Sequence, residues 1–368
     1  MTTFLATQVW WVTLAVIAGS FVCTWVLIRI AHKTNVLDHP HGSEGGRKQH
    51  KAPTPLMGGV AIYCTFAIVL LFAVEFLPEF TSGYLLPKHV YGFLLGGLVL
   101  VVGGVIDDIW DLSPRLQILF PIAAALSVVA SGIGIDFLTN PFGTGIDLTF
   151  LKLHLFSLEG RPYFFVVFAD LFAFLWILGS IYATKFLDGV DGLVSGLTVI
   201  AGVVFFGLSV WIDAGQPETA FIALMLAAAT LGFLVWNLPL PRARIFLGEG
   251  GSTLLGFLLA VLAILSGAKL ATALLLLGLP LVDLILVIGR RLLAKKSPFQ
   301  GDRRHTHFQL LALFRGSIWR TLLTLWGFVL VFGVAALLFE GRAKGVALIL
   351  ALFVAVLLGI FVVSRSRT

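Results

Sequence analysis

The chain has 368 residues, of which 59% are hydrophobic and 12% charged, and its mean hydropathy is +1.02. Water-soluble globular domains run nearer 45–50% apolar and about 25% charged, so these figures exclude one and make the lipid bilayer the solvent. The formal charge of +6 calls for no nucleic-acid partner, because in a membrane protein the placement of Lys and Arg carries more information than their sum.

Taken in chain order, apolar stretches predict membrane spans near residues 8–30, 57–77, 90–106, 116–135, 163–181, 193–212, 219–236, 252–266, 271–289, 318–339 and 345–363. The expected fold is all-α: one polytopic membrane helix bundle of about eleven transmembrane helices, occupying residues 1–368 as a single integral membrane domain. The first 28 residues hold no Lys or Arg, so the first span reads as a retained helix with its N-terminus outside. Alternating from there puts 19 of the 25 basic residues inside and the C-terminus in the cytoplasm. The cysteines, Cys23 and Cys64, fall in apolar runs, which leaves neither a disulfide framework nor a CxxC metal site. The longest outside loop, about residues 136–160, shows no chemistry.

Charged groups are expensive beside hydrocarbon, so their clustering is informative. Asp107, Asp108 and Asp111 follow the third span in GGVIDDIWDLSP, Asp188 and Asp191 follow the fifth in KFLDGVDGL, and Glu249 precedes the eighth in FLGEGGS. SPFQGDRRHTHF adds Asp302, Arg303, Arg304, His305 and His307, and HKAPTPLMGG adds Lys51. All of these fall on the inside. Discontinuous acids, two histidines and many bases on one membrane face suit phosphoryl chemistry on a polyanionic, metal-chelated substrate. Mg²⁺ takes one or two carboxylates plus phosphate oxygens, and basic side chains hold the oxygens that remain. If DGVD is helical, Asp188 and Asp191 share a face at i and i+3.

Each motif also has a plain structural reading. Adjacent aspartates are common in turns, HTH can be two interfacial histidines, TPLMGG can be a helix start with close-packed glycines, and RRLLAKK reads as a positive-inside anchor. Asp283, inside the ninth span, either lines a polar interior or pairs with Arg290 seven residues on.

In order, HKAPTPLMGG, GVIDDIWDLSPR, ATKFLDGVDGLVSG, WNLPLPRARIFLGEGGS and SPFQGDRRHTHF resemble the polyprenyl-phosphate N-acetylhexosamine-1-phosphate transferases, over roughly residues 47–310. The resemblance implies transfer of a sugar 1-phosphate from a UDP-N-acetylhexosamine to polyprenyl (undecaprenyl) phosphate. The products would be a diphosphate-linked lipid and UMP, with Mg²⁺ as cofactor, Mn²⁺ as its substitute, and homodimers known among relatives. It places the chain in the cell inner membrane with its site on the cytoplasmic face. Eleven spans and DRRHTH favour the branch that transfers GlcNAc 1-phosphate for envelope glycans. The alternative is the translocase that makes lipid I, which typically has ten spans and three consecutive histidines. Phe308 stands where a third histidine is often found.

Carried onto this chain, the resemblance implies Asp107, Asp108, Asp188 and Asp191 as catalytic residues and Glu249 with Asp107 as metal ligands. Lys51 and Lys185 would hold phosphates, Asn237 and Phe246 the uracil, and Arg303, Arg304, His305 and His307 the sugar or diphosphate. The family pattern MGD-x-GS is broken by Glu249, and its two asparagines before DGVDG are replaced by Tyr182 and Lys185. Three rivals stand beside this reading. A cation transporter should carry polar groups through the whole membrane depth. A CDP-alcohol phosphotransferase lacks its Ala-Arg pair here, and a degenerate relative is set against six or more retained motif acids and bases.

Overall fold

The computed structural model describes residues 7–39, 52–138, 140, 143–158, 161–212, 215–267, 270–293, 295 and 305–365. Among these, twelve helices follow in order: α1 Val9–Thr34, α2 Gly58–Phe76, α3 Pro87–Trp110, α4 Pro114–Ser131, α5 Val167–Leu187, α6 Leu193–Gly207, α7 Pro217–Asn237, α8 Gly248–Leu265, α9 Leu270–Leu293, α10 Thr306–Leu313, α11 Ile318–Leu338 and α12 Gly341–Arg365. All but the eight-residue α10 are long and apolar enough to cross a bilayer, α6 by continuing through a π-helical turn to Trp211, which gives the eleven candidate spans expected from hydropathy. Lipid offers no partner for a bare peptide group, so segments of this composition satisfy their own backbones as helices.

Several ends differ from the hydropathy reading. α3 runs through Trp110 rather than stopping near 106, α5 ends at Leu187 rather than 181, and α8 begins at Gly248 rather than 252. In each case a helix continues past its apolar block and carries acids or a lysine on its last or first turn. Residues 188–192 are a turn and not a helical extension, so Asp188 and Asp191 do not share a helical face. The fifth helix also starts later, at Val167, because β3 (Lys152–Leu158) and β4 (Arg161–Val166) form an antiparallel hairpin across the end of the loop and the first residues of the expected span.

The bundle is organised around α8, in which Gly250 to Leu265 are all buried. A helix that is apolar on every side belongs inside, and α8 packs against α2, α3, α5 and α6. Aromatic rings link the first of these layers: Phe66 of α2 meets Phe93 of α3 edge-on at 5.9 Å, and Phe93 meets Phe257 of α8 at 5.6 Å. Without a hydrophobic drive between helices in lipid, close approach at small residues and hydrogen bonds across helices hold the array. Indole N–H groups supply several of these bonds, from Trp176 to Ala260 O (3.2 Å), Trp236 to Phe21 O (3.1 Å) and Trp326 to Leu193 O (3.2 Å). α1 lies at the periphery, with Trp10 and Trp11 exposed.

One end of the bundle gathers the termini that matter. There α1, α3, α5 and α7 finish and α2, α6, α8 and α11 begin. The short antiparallel pair β1 (Leu37–Asp38) and β2 (Thr54–Pro55) ties the exit of α1 to the entry of α2 and lays Asp38 opposite Thr54.

Candidate active site

At that end lies a cavity of about 690 Å³. Its described lining carries six carboxylates, Asp38, Asp107, Asp108, Asp188, Asp191 and Glu249, and two cationic groups, Lys185 and Arg242. Phe246, Leu56, Leu311 and Ile318 add apolar wall.

Backbone contact between three helices brings the first acids together. A Cβ on Gly104 of α3 would collide with the backbone of Gly250 in α8, and one on Gly59 of α2 with that of Gly251. At Gly248 φ is +73°, a left-handed conformation that glycine adopts without strain, and a side chain there would strike Leu56 O and the Asp108 carboxylate. These small residues let the first turn of α8 reach the last turn of α3. Asp108 Oδ1 accepts the Glu249 N–H at 3.2 Å as a result, a carboxylate placed at a helix N-terminus. Asp107 Oδ1 accepts from Leu112 N (2.8 Å) and Gln117 Nε2 (2.9 Å), which fixes the turn between α3 and α4.

α5 delivers the remaining groups. Lys185, on its last turn, forms an ion pair with Glu249 and donates to Gln117 Oε1 at 3.3 Å. Asp188 is the residue that ends the helix, its N–H donating to Thr184 O at 3.1 Å. Among the described residues no group donates a hydrogen bond to its carboxylate. Loss of water, then the neighbouring Asp191 and Glu249, push this carboxyl up to about 8. The turn from Asp188 to Gly192 is pinned from behind by Asn237, whose Oδ1 accepts from Gly192 N (3.0 Å) and Ser195 Oγ (2.8 Å) and whose Nδ2 donates to Ile245 O (2.9 Å). Asn237 touches the cavity edge, yet all three of these bonds go to protein.

The histidines take a different position. His305 and His307 do not line the cavity and lie one layer behind it. His305 Nδ1 is 2.6 Å from Asp283 Oδ2, and Asp283 Oδ1 accepts from Thr306 N (2.8 Å) and Thr306 Oγ1 (2.6 Å). Asp283 is therefore engaged by His305 and Thr306 rather than by Arg290. The His305 ring is stacked between Phe186 and His307 at 5.7 Å from each. His307 is fully buried, and among the described residues neither ring nitrogen has a hydrogen-bond partner. It packs against Gly189, where a Cβ would overlap its ring. Burial pushes this imidazole down to about 3, against the opposing pull of Asp283, so it is neutral at physiological pH.

The structure thus brings together Asp107, Asp108, Asp188, Asp191, Lys185, Glu249 and Phe246 around one cavity, with Asn237 at its edge, and sets His305 and His307 behind its walls. Lys51, Arg303 and Arg304 lie outside the described residues. Asp38, Gln117 and Arg242 join the site without having been singled out from sequence. Asp38 sits in VLDHP just past the first span and Gln117 three residues after Pro114, positions where the chain leaves or enters a helix at the same membrane face.

The donor set fits a small hard cation carried in with phosphate. No group of three His, Cys, Asp or Glu among the described residues is arranged to hold a metal unaided, whereas several carboxylates, one without a hydrogen-bond donor, face the same space. Mg²⁺ binds in this manner, through one or two carboxylates with substrate phosphates completing its shell. Acids, cations and an apolar wall at a membrane face suit an amphiphile with an anionic head.

The model of the family described as glycosyl transferase family 4 matches residues 90–267. The undecaprenyl-phosphate alpha-N-acetylglucosaminyl 1-phosphate transferase of Thermotoga maritima is 31% identical over 321 residues, covering 86% of this chain and 87% of that protein. The probable undecaprenyl-phosphate N-acetylglucosaminyl 1-phosphate transferase of Bacillus subtilis is 29% identical over 348 residues, 92% of this chain and 86% of the relative. The decaprenyl-phosphate N-acetylglucosaminephosphotransferase of Mycolicibacterium smegmatis is 30% identical over 371 residues, with the same two coverages.

Proposed function

Because the chain belongs to glycosyl transferase family 4, we propose that it transfers N-acetylglucosamine 1-phosphate from UDP-N-acetylglucosamine to a polyprenyl phosphate, releasing UMP. The observation that carries this reading is the clustering of six carboxylates and two cations around one membrane-face cavity, in a chain similar over most of its length to transferases of that name. The inside bias of Lys and Arg supports a cavity on the cytoplasmic side of the inner membrane, where sugar nucleotides are found.

In this reading Lys185 and Arg242 bind diphosphate oxygens and Phe246 packs beside the base. Glu249 and Asp107, with Asp108 close by, would hold Mg²⁺, which would neutralise charge on the diphosphate and make UMP a better leaving group. Leu311 and Ile318 leave an apolar approach for the prenyl chain. A phosphate oxygen of the lipid attacks the sugar-linked phosphorus, a new P–O–P bond forms, and the bond to the UMP oxygen breaks. Asp107 and Asp108 already accept hydrogen bonds from protein, whereas Asp188 has open lone pairs and raised basicity. In its ionised form Asp188 therefore takes the residual proton of the attacking phosphate, whose second pKa is about 6. Asn237 acts on the turn that presents Asp188 and Asp191.

The test is UMP release by the detergent-purified protein with Mg²⁺ and undecaprenyl phosphate, offering UDP-GlcNAc and UDP-MurNAc-pentapeptide in parallel. UMP is expected when the lipid and UDP-GlcNAc are both present. UMP from the pentapeptide donor instead would make the protein a lipid I translocase, and ion flux in proteoliposomes without UMP would make it a transporter.

A further inference from the structure

A cation is already built into the acidic end of the bundle. The ammonium of Lys185 pairs with Glu249 and donates to Gln117, whose own amide donates to Asp107, so the group is wired to acids on both α8 and α3. Both members of the pair are partly open to the cavity, at 19% and 23% side-chain exposure. The Tyr182 ring lies 5.9 Å from the ammonium, within cation–π range. A lysine is a point charge on a four-carbon stem, and the cavity beside it is wide enough for that stem to swing. Glu249 is also the carboxylate best placed to receive a metal, because its backbone N–H engages Asp108 and its side chain stands between α3 and α5. One carboxylate thus has two suitors of the same sign.

We propose that Lys185 is a resident counter-ion that competes with the divalent cation for Glu249 until the diphosphate of a sugar nucleotide draws the ammonium onto its own oxygens. This rests on the diphosphate-transfer reading above. The metal binds poorly before the nucleotide, the nucleotide opens its site, and each tightens the other reciprocally. Lys185 acts here as a positioning residue for the metal as well as a phosphate ligand, and the Lys185–Glu249 pair protects the acids from mutual repulsion while the cavity holds no substrate.

Mn²⁺ binding to the full-length, detergent-purified protein, read by electron paramagnetic resonance, tests this apart from turnover. Without nucleotide, Lys185→Gln should bind Mn²⁺ about tenfold more tightly than wild type, and Lys185→Arg, which keeps the charge, should match wild type. With UDP added and Mn²⁺–UDP complexation in solution subtracted, affinity for Mn²⁺ should rise more in wild type than in Lys185→Gln. Unchanged or weaker Mn²⁺ binding by Lys185→Gln with a normal thermal unfolding midpoint would overturn the proposal. Should that variant not fold, absence of any UDP-induced tightening in the wild type does the same. These readouts do not depend on which sugar is transferred. UMP release with no Lys185 effect therefore sinks this inference alone, whereas no UMP release from any donor sinks the transferase reading.

Discussion

Asp283 accepts three hydrogen bonds, from His305 and from the backbone and hydroxyl of Thr306, and is almost fully buried. Asp188 accepts none from the described residues and faces an open cavity. Both are acids in or at the end of a membrane-spanning helix, and the cost of placing such a group there is similar. The protein meets that cost internally at Asp283 and leaves it unmet at Asp188. A carboxylate with both oxygens engaged is part of the frame; a carboxyl with no hydrogen-bond donor and raised basicity is open to a ligand and to proton exchange. The first anchors α10 against α9 and so backs the turn on which the second is displayed.

The comparison can be broken most sharply at Asp188 itself. Asp188→Asn should lower UMP release by about a hundredfold or more, with the thermal unfolding midpoint held or raised because folding no longer has to protonate a carboxylate that burial disfavours. Asp283→Ala should do the reverse, costing about 3 kcal/mol of stability by orphaning buried donors. That loss is measurable as a lowered unfolding midpoint, and activity falls in step with the folded fraction. Gly104→Ala forces α3 away from α8 and should cost about 1–3 kcal/mol, while slowing turnover further by parting Asp108 from Glu249.

The pH dependence of stability offers a finer probe. The folded carboxyl of Asp188 stands near 8 against an ordinary value of 3.8. Between those values the folded protein holds more protons than the unfolded chain, so this group's contribution shrinks as pH rises through the window. The unfolding midpoint of the wild type should therefore decline from about pH 5 to pH 8, and Asp188→Asn should flatten that slope. As the smallest effect, Asp147→Ala at the opposite end of the molecule, where the exposed carboxylate accepts the Thr149 N–H at 2.7 Å, should change neither UMP release nor the midpoint.

Most of the helix layout was legible in the sequence because lipid leaves so few alternatives: an apolar block of about 20 residues can satisfy its backbone in hydrocarbon only as a helix or a closed barrel. The hairpin of β3 and β4 lies where that constraint lapses. Its signal, the polar–apolar alternation Lys152-Leu153-His154, is too short to stand out. The acids of the site were legible for the converse reason, since charge near lipid needs a purpose. Their partners were not. The Lys185–Glu249 pair joins residues far apart in sequence, and it depends on the close approach of α8 to α5, where a Cβ on Gly256 would strike Thr184 and Ser180 O. His305 and His307 read as substrate contacts when only their motif is seen; the reach of Asp283, 22 residues upstream, turns the first of them inward. Asp188 and Asp191 read as helical neighbours by spacing alone, and the glycines around them, with Gly192 at a φ of +81°, form a turn instead.

Near-complete burial of α8 has a consequence for the membrane in which the protein works. A bilayer that is too thick or too thin strains the helices it wets, which respond by tilting. In α1 and α12 the spanning segment is 22% buried, while in α8 it is 89% buried. The outer helices therefore absorb changes of lipid length, and the helix that carries Glu249 is screened from them by its neighbours.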